Sequence, residues 1–125
     1  MITGLVTSAR EAVVGLAVRG SEEREEEVEA IIDTGFNGFL TLPPTLIVNL
    51  ALPFAGTTRA TLGNGSEAQM DIYEAQVLWE GQERSILVLE AEGNGLLGMS
   101  MLADCQVTIE VRDGGSVVIE TLEHI

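Results

Sequence analysis

The sequence predicts a mainly β domain carrying two short helices, closed or sandwich-like in architecture. Three observations lead there. Apolar residues recur at a period of two along most of the chain, which places alternate side chains on one face of a strand. Glycine-containing turns punctuate these segments at short intervals, and 14 glycines supply them. Apolar residues make up 46% of the chain but aromatic residues only 4%, so the core must be built from Val, Ile, Leu and Ala. At 125 residues the chain has the length of one domain, spanning 1–125, with a modest core.

The elements follow in order. Thr3, Leu5 and Thr7, then Val13, Val14, Leu16 and Val18, read as a first hairpin turning at residues 8–11. Val28, Ala30 and Ile32 alternate with Glu29 and Ile31 and run into Asp33. Residues 39–42 read as a strand. Pro43 and Pro44 then open a short helix to about Leu50, because proline is tolerated in a first helical turn. Extended segments at 59–62 and 68–72 flank Gly63-Asn64-Gly65-Ser66, and Asn-Gly between such segments signals a hairpin. The second of them continues to Trp79. Gly81-Gln82 turns the chain into a strand at 85–90. Residues 96–103 read as the second short helix, and 107–111 with 117–120 form a last hairpin around Asp113-Gly114-Gly115.

Composition excludes several functions. The formal net charge is −14, with six Lys+Arg against 20 Asp+Glu. No basic face for nucleic acid or for an anionic membrane surface can be assembled from that set. Glu22-Glu23-Arg24-Glu25-Glu26-Glu27 reads as a solvated loop. It lacks the spaced oxygen ligands and turn glycine of a calcium loop, so no metal is expected there. Residues 34–58 carry no charge and are long enough to cross a bilayer. They hold Pro43, Pro44 and Pro53, however, so they read as a buried strand and short helix lining a core or cleft. Arg10 and Glu11 interrupt the first apolar stretch, so no secretory leader is read. The single Cys105 permits no intrachain disulfide, which suits a reducing, cytoplasmic setting. It reads as a small buried hydrophobe rather than as a nucleophile paired with His124 near the end of the chain.

Ile31-Ile32-Asp33-Thr34-Gly35 places a carboxylate on a tight turn behind an apolar strand. An aspartate in such a turn can simply cap it by accepting backbone N–H groups. The context adds more: a buried-looking strand precedes Asp33 and an uncharged segment follows, so the carboxylate would sit in low dielectric, where it is functional or costly. Leu96-Leu97-Gly98 reads as a brace behind that turn, and the two motifs form a faint twofold echo within the chain.

These residues resemble the retropepsin-like, single-domain aspartic proteases. The Asp-Thr-Gly turn, the Pro43-Pro44 helix, the 63–66 hairpin and Leu96-Leu97-Gly98-Met99-Ser100-Met101-Leu102 occur in the family's order, and the match covers roughly 28–120. The chain resembles the small soluble microbial forms and the protease domain of DNA-damage-inducible ubiquitin shuttles. The resemblance implies a closed acid-protease barrel that works as a homodimer, with the active site at the dimer interface. It implies an aspartic endopeptidase acting on a peptide or protein substrate, with no cofactor. Asp33 would be the catalytic carboxylate, Thr34 the residue that hydrogen-bonds across the dimer, and Gly35 the point of close backbone approach. Gly63, Asn64 and Gly65 would form the tip of a substrate-covering flap. Phe36, Leu96, Leu97 and Gly98 would line the cleft or brace the turn. Phe36 departs from the family, where Ser, Thr or Ala follows the tripeptide; the lost hydroxyl bears on catalytic strength more than on fold. A second reading keeps the same fold as a catalytically weak or silent binding module, and a third is an unrelated small β-barrel. Gly93-Asn94-Gly95 lacks the Lys-Ser/Thr of a nucleotide loop, and Met99, Met101 and Trp79 read as packing residues.

Overall fold

Alternation decides which way each strand faces. In a computed structural model, which describes residues 1–61 and 64–123, Val14, Leu16 and Val18 of the second strand are at most 2% exposed, while Gly15 and Arg19 face solvent. Full burial of one such side chain stabilises the fold by about 1.5–3 kcal/mol. The strands are β1 (Ile2–Val6), β2 (Ala12–Arg19), β3 (Glu25–Ile32), β4 (Leu40–Leu42), β5 (Phe54–Thr61), β6 (Glu67–Trp79), β7 (Gln82–Glu90), β8 (Gly95–Leu97), β9 (Cys105–Ile109) and β10 (Ser116–Thr121). The helices are α1 (Pro44–Asn49) and α2 (Met99–Leu102).

The strands hydrogen-bond in the order β5-β6-β7-β4-β8-β3-β2-β1-β10-β9. A further pairing of β2 with β6, from Ala17↔Leu78 to Arg19↔Gln76, closes β2, β3, β8, β4, β7 and β6 into a six-stranded barrel. The pairs β3–β8 and β4–β7 are parallel and the others antiparallel. Leu40, Leu42, Val77, Val88, Leu97 and Met101 fill the interior. β5 and β9 remain as the two edges of the sheet. The mainly β barrel with two short helices therefore stands as the sequence predicts; the uncharged segment supplies a fully buried strand, β4, but its helix α1 buries only Ile47 and leaves Val48 exposed.

Two expectations on element boundaries are corrected. Residues 96–103 are not one helix: Leu96 and Leu97 belong to β8, and only Met99–Leu102 turns helically. Parallel pairing with β3 (Ile31↔Leu96, Ile32↔Leu97) overrides a local pattern that a short apolar run leaves ambiguous. The acidic run is not wholly a loop either. Glu22 and Glu23 sit in the turn in left-handed backbone (φ 58° and 59°), but Glu25, Glu26 and Glu27 are in β3. Ladder pairing with β2 outweighs the weak strand preference of glutamate, and Arg19 meets Glu25 at 2.8 Å across that ladder. Trp79 is buried, as is Met101, whereas Met99 is exposed and Cys105 is half-buried on β9. No helix among the described residues is long and apolar enough to cross a membrane.

Candidate active site

Asp33 stands where β3 leaves the barrel. Its backbone N–H donates to the Leu97 carbonyl at 2.9 Å, extending the β3–β8 ladder by one bond. Its carboxylate Oδ1 accepts the Gly35 N–H at 2.9 Å, and its carbonyl accepts the Phe36 N–H at 3.2 Å. Two N–H groups of the turn, those of Gly35 and Phe36, are thereby fixed to Asp33. A Cβ at Gly35 would sit 3.3 Å from that same Oδ1, so glycine leaves the carboxylate its room. Asp33 is half-buried, and Thr34 and Gly35 are exposed at the surface of the single chain.

The brace is built from main-chain bonds. Gly98 N–H donates to the Phe39 carbonyl at 3.0 Å, Met99 N–H to Phe36 at 2.8 Å, and Ser100 N–H to Gly38 at 3.1 Å. The Ser100 hydroxyl donates to the Asn37 carbonyl. Leu96 and Leu97 lie beside Ile31 and Ile32, and Leu97 is fully buried. Phe36 fits a slot made by two glycines: Cβ atoms at Gly38 and Gly98 would lie 2.5 Å and 2.6 Å from its ring.

The long β5–β6 hairpin, paired from Phe54↔Tyr73 to Thr61↔Glu67, extends past the barrel where β7 no longer accompanies it. Its register shifts between Phe54 and Gly56. At its tip Asn64 Oδ1 accepts the Ser66 N–H at 2.9 Å and the Ser66 hydroxyl at 2.6 Å, and Gly65 has φ +83°. Gly63, also expected at the tip, lies outside the described residues, as does His124.

No family model matches the chain, and no curated protein does. Among solved structures, the protease of simian foamy virus (mac), determined in solution, is similar over 70% of this chain and 90% of that one, at 20% identity and a TM-score of 0.47.

Beside Asp33 runs a groove of about 330 Å³, with Ile31, Thr34, Ile109 and Val111 among its walls and Arg10 on its rim. Arg10 adopts left-handed backbone (φ 61°) and makes no ion pair among the described residues. Among those residues no group of three or more His, Cys, Asp or Glu is placed to hold a metal. The sequence reading missed four residues of this site. Thr41, the buried polar residue of β4, accepts the Leu96 N–H at 2.9 Å on its hydroxyl and so ties β4 to β8. A lone Thr inside Leu40-Thr41-Leu42 is the signal that could have found it. Ser100 carried no periodic signal, and Arg10 and Ile109 reach the groove only through the fold.

Proposed function

We propose that the chain is an aspartic endopeptidase that works as a twofold dimer. The observation that carries this reading is the Asp33 turn: a carboxylate that accepts its own turn's N–H, on a residue whose backbone N–H donates to the Leu97 carbonyl, followed by exposed Thr34 and Gly35. One chain offers one such turn, and peptide hydrolysis of this type needs two carboxylates, so a second copy must bring the other.

In that dimer the two Asp33 side chains meet at the twofold axis. In aspartic proteases generally, carboxylates about 3 Å apart share one proton because two like charges at that distance cannot both ionise. The ionised member draws a proton from a water as its oxygen attacks the scissile carbonyl. The protonated member hydrogen-bonds the carbonyl oxygen, where negative charge develops. Collapse of the tetrahedral centre returns a proton to the leaving amine. The groove past Arg10 and Ile109 gives an extended peptide a bed beside the carboxylate, and the β5–β6 hairpin supplies a cover that excludes water.

Phe36 favours a second reading, a binding module with a silent dyad, because no hydroxyl follows the tripeptide to support the carboxylate. A peptide-library cleavage profile across pH separates the two. The protease is expected to cut on the acid side of neutral and to lose all cleavage on Asp33→Asn. A folded dimer that binds peptides and cuts none at any pH would leave only the binding module.

A further inference from the structure

Three of the four asparagines in this chain precede glycine: Asn37-Gly38, Asn64-Gly65 and Asn94-Gly95. Asn-Gly is chemically labile, because glycine has no Cβ to shield its amide nitrogen from the asparagine side chain. The three pairs stand at the turn after Asp33, at the hairpin tip and at the entrance to β8. We propose that the fold shields two of these pairs and leaves Asn64 as a site of spontaneous deamidation, a one-way chemical modification at the tip of the β5–β6 hairpin.

The step balances without any co-reactant but water. The Gly65 amide nitrogen, having given up its proton to solvent base, attacks Asn64 Cγ, and a C–N bond closes a five-membered imide. The side-chain nitrogen leaves as ammonia. Water then opens the imide at either carbonyl, giving an aspartyl or an isoaspartyl linkage. Closing that ring requires the backbone between the two residues to rotate freely.

The structure separates the three sites on this requirement. At Asn37 the carbonyls of both residues are held, one by the Ser100 hydroxyl and the other by the Ser100 N–H at 3.1 Å. Gly38 is also wedged against the Phe36 ring and Gly98. At Asn94 the following Gly95 is buried in β8 opposite Ala30, where a Cβ would come within 3.0 Å of the Thr41 carbonyl oxygen. Neither pair can form the ring without breaking the brace. Asn64 and Gly65 are both exposed, outside either strand, and nothing lies within 4 Å of where a Gly65 Cβ would point. The Ser66 N–H and hydroxyl both donate to Asn64 Oδ1, which withdraws electrons from Cγ and makes it the better electrophile.

The chemistry holds whatever the protein does; only its consequence rests on the proposed flap. Each event adds one negative charge per chain, and in a dimer two such tips would repel each other over the cleft. The test is to hold the folded protein in mildly alkaline buffer and follow amide-to-acid conversion at the three sites by peptide mass mapping. The same chain unfolded in urea serves as the reference. A shielded pair must first open locally, and an opening cost of even 1.4 kcal/mol slows it about tenfold. Asn64 is therefore expected to convert at least about tenfold faster than Asn37 and Asn94 in the fold, and at a similar pace to them in urea. Equal rates at the three sites in the folded protein, or a slower Asn64, would overturn the proposal. A separate arm measures peptide turnover of Asn64→Asp, expected several-fold lower with a raised KM. Undiminished turnover there, alongside the expected amide loss, would count against the flap and leave the modification standing.

Discussion

Asp33 and Gly98 bear on the proposed site in different ways, and single substitutions separate them. Asp33→Asn keeps the shape of the turn, and an amide oxygen still accepts the Gly35 N–H, but the side chain can no longer take up or share a proton. Turnover is expected to vanish while the melting temperature and the dimer survive. The wild-type pH profile is expected to be bell-shaped on the acid side of neutral, since the proposed dyad would have to hold one proton and lack the other. Gly98→Ala is expected to act through packing. Its Cβ would lie 2.2 Å from the Gly38 carbonyl oxygen and 2.6 Å from the Phe36 ring, both fixed parts of the brace. Overpacking of this kind costs about 1–3 kcal/mol, readable as a shifted denaturation midpoint. At this scale the Asp33-Thr34-Gly35 turn was legible from its place behind an apolar strand, and the structure puts the turn there. Thr41 and Ser100 were not, because they act on backbone groups far away in sequence. The Phe36 slot is likewise completed only by the distant Gly98, together with the nearby Gly38.

The β5–β6 hairpin and the β9–β10 hairpin make contrasting tests among the elements. Gly65 has φ +83° at an open tip, so Gly65→Val strains the turn without touching the core. Turnover is expected to fall far more than melting temperature; a large loss of stability with unchanged turnover per folded dimer would make the hairpin a structural turn only. In the other hairpin, the Ser116 hydroxyl and then its N–H donate to Glu110, with Arg112 nearby, and together they hold the Glu110 carboxyl below its usual range. A folded-state value that is depressed contributes stability above the unfolded value and loses it as pH falls through the folded one. Melting temperature is therefore expected to drop on acidification below the ordinary glutamate range, and less steeply in Glu110→Gln. Most strands and α1 were legible from alternation and from the proline pair, but the starts of β3 at Glu25 and of β5 at Phe54 were not. The 96–102 segment was not, because its apolar run fits a helix and a strand equally until β3 supplies a partner.

The whole molecule poses the question of assembly. Barrel closure between β2 and β6 could not be read from sequence, since neither strand carries a local mark of a partner some sixty positions away. The resemblance in motif order led to the expectation of a closed barrel, and the barrel is closed. The second copy is a matter for solution. With a net charge of −14 on each chain, like charges oppose association, so added salt is expected to tighten the dimer by screening. Sedimentation at micromolar concentration is expected to show a dimer that strengthens with salt; a folded monomer at both low and high salt would refute it. The shared dyad itself is tested most directly by subunit mixing. Wild-type chains are combined with Asp33→Asn chains at constant total concentration, allowed to exchange, and assayed for peptide cleavage. A mixed dimer holds one carboxylate and should be inert, so the cleavage rate is expected to fall with the square of the wild-type fraction. A rate that falls in simple proportion to that fraction would mean that each chain works alone, and the two-chain active site would be wrong.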